Sequence, residues 1–153
     1  DVALRVHQGL LEVSASGDMF VTVFYGVLHG PSGRLTFVRC GQDRPIMLRA
    51  DGVTIETLDA PGRFLGRLTE ISLEERETHL SPGDTLVMYS DGIPDAVDRE
   101  GDDYGTDRLL DLISARRHEP ARDVCGAIFD DVFAFRGEAP AFHDITVLIA
   151  KSA

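Results

Sequence analysis

Thr85-Leu86-Val87-Met88-Tyr89-Ser90 runs directly into Asp91-Gly92, and a second apolar stretch, Ile145-Thr146-Val147-Leu148-Ile149-Ala150, follows directly on Asp144. Apolar content this continuous reads as strands buried on both faces, since a half-solvated strand would alternate. Each Asp then stands where a buried strand meets solvent. A carboxylate held there has a fixed backbone behind it and water in front, which suits an oxygen ligand for a hard cation such as Mg²⁺ or Mn²⁺. Each motif also has a plainer meaning. Asp-Gly is a common hairpin turn pair, and an Asp before a strand is also a solvated turn residue.

Working outward, Leu73 to Leu80 reads as a polar edge strand that Ser81-Pro82-Gly83-Asp84 turns back into the buried strand ending at Asp91. Upstream, Phe20 to Leu28 is rich in β-branched and aromatic residues, His29-Gly30-Pro31-Ser32-Gly33 turns, and Arg34 to Cys40 returns as its hairpin partner. A second hairpin joins Pro45–Arg49 to Val53–Leu58 through Ala50-Asp51-Gly52, and residues 59 to 71 are Gly- and Pro-punctuated loop. Val2, Val6, Leu10 and Val13 fall at helical spacing, predicting an amphipathic first helix that needs a partner surface. Thr106 is placed to cap a helix carrying Leu109, Leu110, Leu112 and Ile113, with Arg116-Arg117-His118 in its last turn. Pro120 fits the first turn of another carrying Val124, Ile128, Val132 and Phe135. Strands first, then two helices, then a closing strand imply an α+β fold of antiparallel sheets with helices against them.

Composition bounds the function. The 153 residues are expected to form one domain, 1–153, with one core, and 43% hydrophobic content is that of an ordinary globule. Twenty-six acidic against 15 basic residues give a formal net charge of -11, which repels nucleic acid and anionic membrane. A phosphorylated substrate would need a cation in between. Cys40 and Cys125 have no metal-ligand spacing and read as reduced, buried and structural, a disulfide being the other possibility. No apolar run reaches the ~18 residues of a membrane span, and no secretory leader pattern opens the chain, so a cytoplasmic protein is expected. The chain opens on Asp1 and its first methionine is Met19, as in a piece of a longer polypeptide.

Three segments together carry a family resemblance: Phe20–Leu28, Leu80-Ser81-Pro82-Gly83-Asp84-Thr85-Leu86-Val87-Met88-Tyr89-Ser90-Asp91-Gly92, and His143-Asp144-Ile145-Thr146. With Tyr104-Gly105 and Leu109 following, the chain resembles bacterial metal-dependent serine/threonine phosphatases of the sporulation stage II protein E and RsbU type. The resemblance covers essentially the whole chain. It implies a PPM-type four-layer αββα sandwich of antiparallel sheets, with two Mn²⁺ or Mg²⁺ ions at one end of the sheets. It further implies direct attack of a metal-activated water on phosphoserine or phosphothreonine, the substrate being a regulatory protein such as an anti-sigma factor antagonist. By the same resemblance Asp91 and Asp144 are the metal ligands and so the catalytic residues, and Gly92 is conformational.

The chain departs from the family pattern at several points. The family's first two metal-binding aspartates and a carbonyl-donating glycine lie on strands preceding the helix that opens this sequence. The expectation is therefore the C-terminal portion of a longer catalytic domain, with its N-terminal strands, and a possible sensor domain, upstream. His143 replaces the first Asp of the closing motif, Gly41-Gln42-Asp43-Arg44-Pro45 replaces Gly-His-Asn-Pro, and Asp95 stands where Glu is usual. His143 reads as a ligand, a general acid or a hydrogen-bonding rim residue. Asp98, Asp102 and Asp103 read as a solvated acidic loop, or as a loose cation site without EF-hand spacing. The competing functional class is a non-catalytic regulatory or partner-binding module that keeps the fold. A plain β-rich ligand-binding domain is the third.

Overall fold

In the computed structural model, residues 2–13 and 19–152 are described, and their contacts divide into two compact units. The first holds the described residues up to Arg44 and Leu58–Leu80. The second holds Pro45–Thr57 and the chain from Ser81 onward. Each has its own apolar cluster.

In the first unit, α1 (Val2–Val13) precedes β1 (Val23–His29), β2 (Arg34–Cys40) and, after the loop, β5 (Arg76–His79). The sheet order is β1-β2-β5, both pairings antiparallel, with Val23 opposite Cys40 and Arg34 opposite His79. The β1–β2 turn closes by Gly33 N–H donating to His29 C=O at 2.9 Å. Two expectations change here. The buried face of α1 is Ala3 and His7, while Val2, Val6 and Val13 are exposed, Val13 at 76%. The apolar period has the right helix and the wrong face, because small Ala3 allows close approach and His7 finds a partner in the Gly66 N–H, 3.0 Å from Nδ1. The polar edge strand does form at β5, but it pairs with β2 and belongs to a different sheet from β6, so Ser81–Asp84 is a link between sheets and not a hairpin turn.

In the second unit, β3 (Ile46–Leu48), β4 (Ile55–Thr57), β6 (Thr85–Tyr89) and β7 (Val147–Lys151) form an antiparallel sheet of order β4-β3-β6-β7. Central β3 is buried throughout, and β6 is buried but for half-exposed Met88, as their apolar content dictates. β7 differs from expectation: Leu148 is 51% exposed, and among the described residues β7 lies at the edge of its sheet with β6 as its only pairing partner. Helices α2 (Gly105–Ala115) and α3 (Ala121–Arg136) bury Leu109, Ile113, Val124, Ile128 and Val132 with Ile46, Val87 and Tyr89. The α2 N-cap is Tyr104, not Thr106, and Arg116 follows the helix as its C-cap, so no basic residue lies in the last turn. Pro120 is the N-cap of α3, with ψ 147°, where its missing N–H costs nothing.

Asp84 fastens this unit. Its carboxylate is buried and accepts from Arg49 Nη1 at 2.7 Å, Ala50 N–H at 2.9 Å and Ser81 N–H at 2.9 Å, while Arg49 also grips Glu56 with two donors. Burial pushes the Asp84 carboxyl up, but the Arg49 guanidinium and the two N–H donors outweigh it and hold it below the usual carboxylate range. Across α2 and α3, Tyr104 Oη donates to Asp131 at 2.7 Å and Arg108 donates to both Asp131 oxygens at 2.8 and 2.9 Å. Both cysteines are free; Cys40 is buried, which pushes its thiol up, and Cys125 is only half-buried.

Candidate functional site

Antiparallel register puts Tyr89 opposite Val147, the last pair of the β6–β7 ladder. Extending that pairing beyond the ladder sets Gly92 opposite Asp144, so the two Asp-bearing segments emerge side by side from one end of the sheet. Ser90 fastens them. Its N–H donates to Thr146 C=O at 3.1 Å, its Oγ donates to Asp144 C=O at 2.9 Å, and the same Oγ accepts from Thr146 N–H at 2.9 Å. The sequence reading counts Ser90 only as the end of a strand. A serine at the junction of a buried run and an Asp-Gly is a signal only once the partner strand is known.

Gly92 is needed because main chain approaches it closely. Its φ is not positive, but it is buried, and a Cβ built on it would collide with the Asp144 carbonyl oxygen and sit 2.9 Å from the Asp144 carbonyl carbon. The glycine therefore lets the two segments touch. The turn after β6 is one helical winding, with Ile93 N–H donating to Ser90 C=O and Asp95 N–H to Asp91 C=O.

Both candidate ligands are solvent-exposed, and neither carboxylate makes a hydrogen bond or ion pair with a described residue. This contrasts with Asp84 and Asp131, whose oxygens are occupied by arginine and main-chain or phenol donors. Free carboxylate oxygens on a fixed backbone match a hard divalent cation in kind. In number they fall short, for among the described residues no group of three or more His, Cys, Asp or Glu could hold a metal ion. An octahedral ion takes about six oxygens, so two carboxylates fill part of one shell.

The remaining candidates sort clearly. His143 is exposed beside this pair, its carbonyl carbon 3.3 Å from a Cβ built on Gly92. Asp98 turns its own loop: Oδ1 accepts from Glu100 N–H at 2.9 Å and Asp102 N–H at 3.0 Å, which leaves little for a cation. Val97 bridges Asp103 in the same turn. No described helix is long and apolar enough to cross a membrane.

Comparison with known proteins bears on the family and the fold. The chain is 25% identical over 134 residues to Protein IcfG of Synechocystis sp., covering 86% of this chain and 21% of IcfG. It is 22% identical over 142 residues to the phosphoserine phosphatase RsbU of Bacillus subtilis, covering 93% and 42%. The chain thus spans less than half the length of either relative. Among solved structures it superposes on the Mn-presoaked phosphatase domain of the cell fate determinant SpoIIE from Bacillus subtilis with a TM-score of 0.71 at 16% identity, over 99% of this chain and 65% of that one. The RsbU and RsbW domains of Rv1364c from Mycobacterium tuberculosis give 0.72 at 22% identity, over 95% and 38%. These likenesses show the fold of the phosphatase domains. The family model described as Stage II sporulation protein E (SpoIIE) matches residues 1–152, and the chain belongs to that family.

Proposed function

We propose that this chain supplies Asp91 and Asp144 to the divalent-metal site of a phosphoserine/phosphothreonine protein phosphatase. One observation carries the reading: β6 and β7 bring two exposed, unpaired carboxylates to one end of a sheet, with Ser90 and Gly92 built to keep them together. Mn²⁺ or Mg²⁺ bound there would supply a nucleophilic water at neutral pH and offset phosphoryl charge. The protein's part is to hold carboxylate oxygens in fixed directions from rigid strand ends, and these two side chains fill part of one ion's shell. The substrate class that follows from the family is a phosphorylated regulatory protein, such as an anti-sigma factor antagonist, in the cytoplasm. A net charge of -11 disfavours any bare phosphate, so the cation is required for binding as well as chemistry.

A second reading is a non-catalytic module that keeps the fold to bind a partner. It is favoured by the thin ligand set and by His143 in place of an acid. Hydrolysis of a phosphoserine protein by the intact polypeptide, with Mn²⁺ and with chelator, separates the two. The phosphatase reading expects metal-dependent release of phosphate that falls at least 100-fold in Asp91→Asn and in Asp144→Asn, by loss of charge stabilisation at the transition state. Release that ignores metal and both substitutions would refute it.

A further inference from the structure

Next to the candidate segments lies a small, largely enclosed cavity whose lining includes Gly92, Asp95, Arg136, Phe142, His143 and Ile145, among them sequence neighbours of Asp91 and Asp144 but not those two residues themselves. It offers about 10 Å³ to the centre of a water molecule, close to the room one water needs. Arg136 ends α3, and its Nε–H is shielded from solvent with no hydrogen-bond partner. The guanidinium lies over the Phe133 ring at 5.3 Å and makes no ion pair with a described residue. A shielded N–H on a charged group is costly to leave unmade. The segment from Pro140 to His143 also lines the cavity; its residues are exposed on their outer side and make no hydrogen bond with any described residue, and Asp144 is tied only through its carbonyl to Ser90. A shielded donor without an acceptor and a segment without internal hydrogen bonds thus border one cavity of water size.

We propose that Arg136 is a positioning residue for Asp144. Its Nε–H donates to a single water in this cavity, and that water donates to main-chain carbonyls of the 140–145 segment, which fixes the direction in which Asp144 presents its carboxylate. The proposal deepens the metal-site reading and rests on it. The position of Arg136 one residue before the Gly137 helix stop, and eight before Asp144, lets a rigid helix brace a segment that has no ladder of its own.

The test compares wild type, Arg136→Lys and Arg136→Ala in the intact polypeptide by two readouts: ¹⁵N order parameters of Ala141 to Asp144 without metal, and Mn²⁺ affinity by calorimetry. Lys keeps charge and stem but lacks the Nε–H, and it guards against a poorly folded Ala variant. Both variants are expected to lower the order parameters of the segment to below about 0.6, with β6 unchanged. Both are expected to weaken Mn²⁺ binding about 10-fold, the lower end of what losing an outer-shell partner costs. Unchanged order, or full recovery of order and affinity by Lys, would overturn the role of Nε. Loosened order with unchanged Mn²⁺ affinity would overturn the link to Asp144. If the Asp91→Asn and Asp144→Asn proteins also bind Mn²⁺ as wild type does, the metal-site reading fails instead, and the metal-free order parameters judge the brace alone.

Discussion

Gly92 shows how one residue can join two motifs that are 52 positions apart. Its missing side chain is what permits contact between the Asp91 and Asp144 segments, so Gly92→Ala is expected to push them apart. Inserting a methyl against main chain costs about 1 to 3 kcal/mol, because backbone cannot swing away as a side-chain tip can. Urea unfolding checks this, and a midpoint equal to wild type would mean that the contact is loose. Asp84 makes the opposite case, a carboxylate with every oxygen spent. Asp84→Asn is expected to cost about 2 kcal/mol through loss of a shielded charge-assisted bond, tempered because Arg49 keeps Glu56. The sign of its pH dependence follows from its lowered pKa. The folded value lies under the ordinary Asp value of about 3.9, so its stabilisation is complete above that pH and is lost as pH falls through the folded value. Stability against pH should therefore drop less steeply below about pH 4 in Asp84→Asn than in wild type. Parallel acid limbs would show that Asp84 is not the group that titrates.

At the scale of elements, the α2–α3 pair is held by apolar burial first and by a polar clasp second. Ile128 and Leu109 have no solvent exposure, so Ile128→Ala is expected to cost about 3 kcal/mol in the transfer and cavity terms together. Tyr104→Phe should cost about 1 kcal/mol, because Asp131 keeps both Arg108 donors when the phenol is removed. Burial and the Asp131 carboxylate push the Tyr104 phenol up, so it donates throughout the ordinary pH range. Thermal unfolding of the two variants should rank them in that order, and a reversed order would make the clasp the main tie. The elements were legible where patterns were local and long. The β1–β2 hairpin, β6, α2 and α3 all follow from residue type and period. The faces were less legible. Val2, Val6 and Val13 mark α1 as helical but do not show that Ala3 and His7 turn inward, since that choice depends on Gly66, almost 60 residues away. Leu148 looks buried in sequence and is exposed because β7 ends its sheet, a fact of strand order and not of composition.

For the molecule as a whole, strand order converts two short and individually common motifs into one location. Asp91 and Asp144 are legible as strand-end acids; Ser90 as the fastener of their segments is not, because its role exists only across chain segments paired in space. The fold is that of SpoIIE-family phosphatase domains, and the central claim is that Asp144 serves a cation and not its own turn. The most direct measurement is the melting temperature of wild type and Asp144→Asn, each with chelator and with millimolar Mn²⁺. Ligand that binds only the folded state raises the melting temperature by mass action. The account predicts that Mn²⁺ stabilises wild type and that the rise is largely lost in Asp144→Asn. With chelator the variant should melt at the same temperature or slightly higher, since removing one of two neighbouring carboxylates relieves repulsion. A variant that melts lower without metal yet keeps the whole Mn²⁺-induced rise would contradict it.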